Sequence, residues 1–338
     1  MKLASLKTKN RDGELIIVSK DLKRYTSCKE IAPTMQSALD NWNQVQKKLN
    51  NLSKMLNNDE VKSLPFNETS VHSPLPRAYQ WADGSAYVNH VNLVRKARGA
   101  KLPESFWTDP LMYQGGSDDF IPPQSPILLP DETWGIDMEA ELAVITNDVP
   151  MGTKSNYAEE KILLIMLVND ISLRNLIPSE LSKGFGFFQS KPSTSFSPVA
   201  VTLDEVDDFW AQGKLNRIME VDLNDQPLGR VNTSIDMTFN FPQLISHASK
   251  SRKLGAGTII GSGTISNRDK NGGPGLPIDK GGDGYSCLAE LRMVETIKYG
   301  NPKTPFMNFG DKVRIEIHDN YGQSIFGKID QKVEKLIY

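Results

Sequence analysis

The first part of the chain alternates hydrophobic and polar residues over two short stretches, residues 3–8 and 14–19. Such alternation is typical of strands with one buried face. Asp12-Gly13, just ahead of the second stretch, is a dipeptide typical of hairpin turns. We therefore expect the chain to begin with a β-hairpin.

The apolar spacing then changes from two residues to three or four. Seven apolar residues follow the new spacing: Met35, Leu39, Trp42, Val45, Leu49, Leu52 and Leu56. This spacing predicts a single amphipathic helix of about 22 residues, with Thr34 as its N-cap. Three prolines between residues 59 and 76 favour extended or turn backbone after the helix. We place a domain boundary near residue 72, so that residues 1–72 form a small N-terminal β domain with one helix.

Residues 73–338 contain short β-like stretches without a regular alternation of strands and helices. The clearest predicted strands are 136–145, 218–223, 258–265, 313–318 and 324–329, the last two joined by a turn at residues 320–322. The candidate helices are 157–165, 204–212 and 241–251, while 162–168 reads either as a buried strand or as the end of a helix. Because helices are subordinate, the pattern predicts a β-rich α+β fold and argues against a doubly wound sheet.

Charge and composition narrow the classes of function. The 39 basic and 41 acidic residues give a formal net charge of −2, so no global positive field exists to hold nucleic acid or anionic lipid. The longest apolar run, 162–168, is far shorter than the ~20 residues of a membrane helix, and Lys7 and Lys9 interrupt any signal-peptide core. Cys28 and Cys287 have no metal or redox spacing and are read as ordinary thiols. We expect a cytoplasmic protein whose partners are small molecules or proteins.

Three carboxylates share one face of the predicted strand 136–145, namely those of Asp137, Glu139 and Glu141. Neighbouring carboxylates repel one another unless a cation or water separates them. All-oxygen ligation selects hard divalent metals such as Mg²⁺, Mn²⁺ or Ca²⁺. The alternative is a solvated strand face, because alternating charges are common on half-exposed strands.

Two further charged residues have unusual surroundings. Asp170 follows the apolar run 162–168 almost directly, and it either contributes to a site or caps the next turn. Lys191 follows the glycine- and aromatic-rich run 185–190, and it is either a surface residue or a cation directed into a pocket.

Of the four histidines, His90 has the most chemically varied neighbours, because residues 81–90 include an acid, two hydroxyl groups and two aromatic rings. A single histidine is nevertheless more often structural than catalytic. The glycine-rich run 255–261 does not support nucleotide binding, because it precedes a strand where the dinucleotide motif must follow one. Residues 261–264 suit a substrate carboxylate or a tight turn, and the loop around 272–284 suits a flap or a surface insertion.

The order and spacing of these charged residues and glycine-rich runs resemble those of the fumarylacetoacetate hydrolase family over about residues 73–327. The residues that carry the resemblance are Asp83, His90, Arg98-Gly99, Glu139-x-Glu141, Asp170 with Arg174 four residues later, Lys191 and the run 261–266. The resemblance implies a catalytic domain of mixed β-roll or barrel type at residues 73–338 and the small N-terminal domain of the longer members. It also implies a homodimer with one Mg²⁺ or Ca²⁺ per active site, with Mn²⁺ as a further option.

The resemblance further implies roles for individual residues. The implied metal ligands are Asp83, Glu139, Glu141 and Asp170. The implied catalytic groups are His90 as general base, Glu290 as the acid that orients it, and Arg174 and Lys191 as cations facing the departing carbanion. The implied substrate-binding residues are Arg98, Tyr113 and Thr264. Two positions depart from the family pattern: Ser85 stands where a tyrosine is common, and Ile177 where a glutamine is common.

The leading hypothesis is a metal-dependent hydrolase that cleaves a carbon–carbon bond of fumarylacetoacetate, a step of tyrosine catabolism, or of a related acylpyruvate or 1,3-diketone acid. A 2-oxo acid hydratase, isomerase or decarboxylase is the alternative within the family, because chelation stabilises an enolate whichever bond breaks. A non-catalytic metal-binding protein is the alternative of another class. The expected ligand is a small dicarboxylate or 2-oxo acid, with no nucleic acid and no membrane as partner.

Overall fold

The computed structural model describes residues 1–97 and 99–337. Within these residues the α-helices are α1 Met35–Asp40, α2 Trp42–Asn57, α3 Val88–Ala97, α4 Ser155–Ala158, α5 Ile177–Leu181, α6 Phe241–Ala248 and α7 Leu288–Tyr299. The first ten strands are β1 Lys2–Leu6, β2 Glu14–Val18, β3 Arg24–Ser27, β4 Leu64–Pro65, β5 Trp81–Gly84, β6 Met112–Gly115, β7 Ile127–Leu129, β8 Ile136–Asp137, β9 Ala140–Thr146 and β10 Ile162–Asn169. The other strands are β11 Ser172–Leu173, β12 Ser195–Phe196, β13 Ala200–Val201, β14 Trp210–Ala211, β15 Lys214–Leu215, β16 Ile218–Leu223, β17 Gln226–Asn232, β18 Ile259–Gly261, β19 Lys312–Ile317 and β20 Ile329–Lys335.

Two large sheets organise the molecule. The larger has eleven strands in the order β4-β3-β2-β1-β13-β10-β9-β18-β5-β6, with β12 also paired to β10. The smaller has five strands in the order β17-β16-β19-β20-β7. Among the described residues neither sheet closes into a barrel, and most neighbouring strands are antiparallel. The prediction of a β-rich α+β fold is confirmed. The resemblance implied a catalytic domain of β-roll or barrel type, and no closed barrel is seen among the described residues.

The N-terminal segment forms the predicted hairpin, and its helix differs from the prediction. Strands β1 and β2 pair antiparallel from Lys2↔Val18 onward. Thr34 caps α1 through a capping box with Ser37, as expected of that residue type. The single helix of about 22 residues was wrong, because the chain breaks at Asn41 between α1 and α2. The Asn41 side chain donates to the Ser37 carbonyl, a local hydrogen bond that competes with helix continuation.

The N-terminal strands belong to the same sheet as the rest of the molecule, because β1 also pairs with β13 through Lys2↔Val201. The boundary near residue 72 stays a prediction. None of the helices in the described ranges is both long enough and apolar enough to span a membrane.

Three predicted elements were wrong in type. Residues 157–165 were predicted as a helix, but α4 ends at Ala158 and β10 begins at Ile162. Seven consecutive apolar residues suit a strand buried on both faces, and β10 lies between β9 and β13 with all eight residues buried. Residues 204–212 form a single 3₁₀ turn followed by β14 instead of a helix. The predicted strand 324–329 is reduced to one bridge between His318 and Ser324, and β20 begins only at Ile329.

Three predicted elements have the right type with different bounds. Helix α6 ends at Ala248 instead of residue 251, and β18 covers only Ile259–Gly261 of the predicted 258–265. The predicted strand 136–145 is interrupted after Asp137, so that β8 pairs with β11 while β9 enters the large sheet between β10 and β18. This interruption matters because Asp137 lies on β8, Glu141 on β9 and Glu139 between the two strands, so the three alternating carboxylates take different partners.

Candidate active site

Three strands of the large sheet place three carboxylates together. Asp83 lies on β5, Glu141 on β9, and Asp170 directly after β10. One oxygen of each of these residues lies within 4.8 Å of the other two, and all three side chains are buried. Strands β9 and β10 are direct neighbours in the sheet, and β18 separates β9 from β5, so residues far apart in sequence meet at one place. We call these three residues the acid cluster.

The glycine-rich run at the end of β18 allows Asp83 to approach. A Cβ atom at Gly261 would lie 2.2 Å from Asp83 Oδ1, so a larger residue would displace this carboxylate. Gly263 has a positive φ of 73°, and its amide donates to the same oxygen at 3.0 Å. The sequence left open whether residues 261–264 bind a substrate carboxylate or make a tight turn; in the structure their backbone binds the carboxylate of Asp83.

Glu141 has the surroundings that best suit the acid cluster to a cation. Its side chain is fully buried, and neither carboxylate oxygen has a hydrogen-bond partner within the described part of the chain. Burial, and then the nearby Asp83 and Asp170, raise the pKa of Glu141 well above its ordinary value. Burial and the charge of Asp170 likewise raise the pKa of Asp83. A divalent cation would neutralise this repulsion and supply the missing partner, so the donor set fits a hard metal ion.

Glu139, the fourth implied ligand, lies beside the acid cluster, but its oxygens contact other groups. Its Oε1 accepts hydrogen bonds from Ser172 Oγ at 2.5 Å and Lys191 Nζ at 2.7 Å, and its Oε2 accepts one from the Thr264 hydroxyl. Burial opposes ionisation of Glu139, but the charges of Arg174 and Lys191 outweigh it and lower the pKa of this carboxyl. Direct metal ligation by Glu139 stays a prediction.

Lys191 is directed into the site, and it is not a surface residue. Its Nζ atom donates to Asp170 Oδ2 at 2.6 Å as well as to Glu139. Burial disfavours the charged amine, but the two carboxylates overcome this effect and raise the pKa of Lys191. Glu180, which the sequence analysis missed, accepts hydrogen bonds from the amides of residues 188–190 just before Lys191. The loop that carries Lys191 is therefore anchored by a carboxylate.

Two of the residues expected to bind substrate contact the acids. The Tyr113 hydroxyl donates to Asp170 Oδ2 at 2.6 Å, and the Thr264 hydroxyl donates to Glu139. Asp170 also accepts a hydrogen bond from Thr194 and so has ordered partners on both oxygens. Arg98, the third residue in this group, lies outside the described residues. Substrate binding by all three stays a prediction.

Arg174 is held by Asp137, a residue to which the sequence analysis assigned no role. Asp137 is completely buried, and its Oδ2 accepts from Arg174 Nε at 2.8 Å. The same carboxylate accepts from the amides of Leu288 and Ala289, at 2.8 and 2.9 Å, in the first turn of α7. The Nη2 atom of Arg174 lies 3.2 Å from Glu139 Oε1. The only sequence signal for Asp137 was its alternation with the two glutamates of the same strand.

The partly buried His90 on α3 and the buried Glu290 on α7 form a pair near the acid cluster. His90 Nδ1 lies 3.0 Å from Glu290 Oε2, and Glu290 Oε1 accepts from Ser266 Oγ at 2.9 Å. Ser266 Oγ in turn accepts from Asn89 at 2.8 Å, which fixes the carboxylate from the other side. Neither Asn89 nor Ser266 was predicted to act here.

Cys287 lies close enough to His90 and Glu290 to be considered as a third ligand of a second metal. Burial, followed by the nearby Asp137, raises the pKa of the Cys287 thiol well above its ordinary value. The thiol therefore stays protonated, and its sulphur accepts the amide hydrogen of Glu290 at the start of α7. This group fits an N-terminal helix contact better than a metal site.

A cavity of about 450 Å³ opens beside these groups, within the size range of small-molecule sites. His90 and Arg174 are part of its wall, and so are Ser85 and Ile177, the two positions that depart from the family pattern. The structure thus places His90, Arg174, Ser85 and Ile177 around one cavity; the role of His90 as general base stays a prediction.

Comparison with known proteins identifies related families and folds. Residues 80–334 match the family described as "Fumarylacetoacetate (FAA) hydrolase C-terminal", and residues 1–77 match "Fumarylacetoacetase N-terminal domain 2". The chain is 24% identical to the fumarylacetoacetase of Arabidopsis thaliana over 71% of this chain and 56% of that protein. It is 28% identical to the mitochondrial oxaloacetate tautomerase of Pongo abelii over 67% of this chain and 98% of that protein.

Solved structures share the fold at low sequence identity. A maleylpyruvate hydrolase from Sphingobium, in complex with a manganese(II) ion and pyruvate, matches with a TM-score of 0.64 and 16% identity over 99% of both chains. A 5-carboxymethyl-2-hydroxymuconate delta-isomerase from Mycobacterium smegmatis matches with a TM-score of 0.61 and 17% identity over 100% of both chains. The relatives thus include hydrolases, isomerases and tautomerases, and a divalent metal occurs among them.

Proposed function

The chain belongs to the fumarylacetoacetate hydrolase family, and from this premise we propose that it is a divalent-metal-dependent hydrolase of fumarylacetoacetate or of a related acylpyruvate. The observation that carries the proposal is that His90, paired with Glu290, lines the same cavity as Arg174, which lies 3.2 Å from Glu139 beside the acid cluster. Hydrolysis needs a base for water beside a site for the ketone oxygens, and this arrangement supplies both.

The residues for a metal are those of the acid cluster. A divalent cation bound by Asp83, Glu141 and Asp170 would polarise the carbonyl oxygens of a 1,3-dicarbonyl substrate. Mg²⁺ and Ca²⁺ suit these all-oxygen donors, and Mn²⁺ is favoured as a first test because one related structure contains manganese(II).

His90 is suited to accept a proton from water. Glu290 contacts Nδ1, which leaves Nε2 as the nitrogen that can accept a proton. The water oxygen then forms a bond to the acyl carbon, and the bond from that carbon to the adjacent methylene breaks. The electron pair leaves on the methylene fragment as an enolate, which regains a proton from His90. The products are a carboxylic acid and pyruvate from an acylpyruvate, or fumarate and acetoacetate from fumarylacetoacetate.

Lys191 and Arg174 are suited to stabilise the negative charge that develops on the leaving fragment. Both are largely shielded from solvent beside Glu139, so their cationic charges are held in place before the reaction begins. Fixed charges in a site that excludes water stabilise a developing anion more strongly than solvent does.

Tautomerisation of a 2-oxo acid is the second candidate, favoured by the 28% identity to an oxaloacetate tautomerase over 98% of that protein. The same pair could move a proton between carbon and oxygen without cleaving a carbon–carbon bond. The two reactions differ in products, because only hydrolysis releases two acids.

Product analysis of metal-loaded protein tests the proposal. The protein with Mn²⁺, Mg²⁺ or Ca²⁺ is incubated with fumarylacetoacetate, a panel of acylpyruvates and oxaloacetate, and the products are followed by NMR. Release of a carboxylic acid and pyruvate or acetoacetate supports the hydrolase. Enol-to-keto conversion of oxaloacetate with every acylpyruvate intact supports the tautomerase and rejects the hydrolase. The homodimer that the resemblance implies is also proposed, and light scattering of the same samples measures it.

A further inference from the structure

The cavity beside His90 has walls that are mostly apolar. Helices α3, α5 and α7 contribute side chains such as Val94, Ile177 and Met293, and the segment after α7 contributes Phe306. Ile177 adds a branched hydrocarbon side chain to this apolar surface. A substrate in this cavity therefore places hydrocarbon against most of the wall.

Two cations also line the cavity, and they differ in their partners. Arg174 is neutralised by Asp137 at 2.8 Å and lies 3.2 Å from Glu139. Arg292, on α7, has no carboxylate within 4 Å among the residues that the structure describes. Of these two cations, Arg292 is thus the one that forms no ion pair within 4 Å in the described part of the chain.

Arg292 is nevertheless held in a defined position. Its Nη1 donates to the carbonyl of Thr304, and its guanidinium carbon lies 4.0 Å from the centre of the Phe306 ring. Glu295, the nearby acid, accepts hydrogen bonds from the amides of Lys303 and Thr304 and from the Thr304 hydroxyl. Glu295 therefore anchors the segment on which Arg292 rests; its charge interacts with that of Arg292, but the two groups form no ion pair within 4 Å. A guanidinium that is held in place without a close ion pair is preorganised to bind an anion.

We propose that Arg292 binds an anionic group on the acyl part of the substrate, so that the substrate carries a second carboxylate separated from the reacting ketone by a short hydrocarbon segment. This inference rests on the proposed function and names the substrate class of that site. The 2-oxo acid end lies with the acid cluster, whose residues make no hydrogen bond or ion pair with Arg292 in the described part of the chain. The apolar wall contacts the hydrocarbon segment, and Arg292 selects against acyl chains that end in a neutral group.

The experiment compares two acylpyruvates on the same protein. Succinylpyruvate has an acyl chain that ends in a carboxylate, and its matched analogue ends in a carboxamide of almost the same shape. Arg292→Met keeps an unbranched side chain against Phe306 and removes the charge, and Arg292→Lys keeps a charge without the planar fork. Lys298→Met is the control, because it removes an exposed cation from α7 that is not among the residues of the cavity wall. The readout is the ratio of kcat/KM for the carboxylate to kcat/KM for the carboxamide, which does not depend on the folded fraction.

Arg292→Met is expected to lower this ratio by about 10- to 100-fold, the usual range for loss of a charge-assisted contact. Arg292→Lys should lower it less, and Lys298→Met should leave it within about twofold of the wild type. An unchanged ratio in Arg292→Met overturns the inference, because Arg292 would then only support the 304–306 segment. If the wild type cleaves neither compound, the proposed hydrolysis fails. The anion preference is then tested by calorimetric binding of the same two compounds to wild type and Arg292→Met, with the ratio of the two dissociation constants as the readout.

Discussion

Replacing Asp137 with asparagine tests how far the site depends on one buried carboxylate outside the acid cluster. Asp137 Oδ1 accepts from the Leu288 amide, and its Oδ2 accepts from the Ala289 amide and from Arg174 Nε. The side chain therefore joins Arg174 to the first turn of α7, which carries Glu290. Asparagine has nearly the same shape but only one acceptor oxygen.

The asparagine amide can adopt two orientations, and the more favourable one sets the expected loss of unfolding free energy. With its oxygen in the place of Oδ2, the asparagine side chain keeps the contacts to Ala289 and Arg174, while its NH₂ group faces the Leu288 amide. One buried N–H is then unsatisfied, which costs about 1–3 kcal/mol, and the contact to Arg174 loses its ionic character, which costs about 1 kcal/mol more. We expect Asp137→Asn to lower the free energy of unfolding by about 2–4 kcal/mol and kcat by roughly tenfold or more, because Arg174 and Glu290 both shift.

Urea unfolding followed by tryptophan fluorescence measures the first effect, and kcat per folded, metal-loaded site measures the second. Asp131→Asn is the matched control, because Asp131 is only partly buried and caps the short turn at residues 132–134 through Thr133. The free energy of unfolding of Asp131→Asn should stay within about 0.5 kcal/mol of the wild-type value, as for most surface substitutions. If Asp137→Asn loses less than about 1 kcal/mol of unfolding free energy and keeps the wild-type kcat, the idea that Asp137 positions Arg174 and Glu290 is refuted.

Three further predictions concern other groups of the site. Glu141→Gln removes a buried negative charge, so the metal-free variant should be at least as stable as the wild type. The rise in Tm on adding millimolar Mn²⁺ should be smaller in this variant, and an undiminished rise would exclude Glu141 as a ligand. His90→Ala should keep this metal-dependent rise while lowering kcat by about 10²- to 10⁴-fold, whereas turnover within about threefold of the wild type would show that another group is the base. For Glu180, burial opposes ionisation, but hydrogen bonds from Ser190 and the amides of residues 188–190 lower the pKa to about 2. A carboxyl group with a lowered pKa stabilises the fold above its ordinary pKa, and this stability is lost as the pH falls toward 2. The difference in unfolding free energy between wild type and Glu180→Gln should therefore shrink on acidification. A difference that stays constant with pH would contradict this prediction.

The sequence by itself determined the local elements of the N-terminal segment and the kinds of residue in the site. The hairpin depends on alternation and an Asp-Gly turn, and the start of α1 depends on Thr34, all of which act within a few residues. The strand or helix character of residues 162–168 stayed open, because a short apolar run satisfies either structure until its neighbours are known. Its place between β9 and β13 made it a strand.

Only the tertiary structure decided which polar atoms meet. Glu139 and Glu141 are two residues apart and look equivalent in sequence, yet one contacts Lys191 and Thr264 while the other has no partner among the described residues. Pairing between strands distant in sequence produces this difference, since β18 brings Gly261 and Gly263 to Asp83 and the loop after α5 brings Lys191 to Glu139. The role of Asp137 likewise depends on the start of α7, 151 residues later in the chain. Residue type and order were sufficient to suggest a metal-dependent enzyme, but burial and partner choice, which set charge and pKa, depend on contacts that no local pattern encodes.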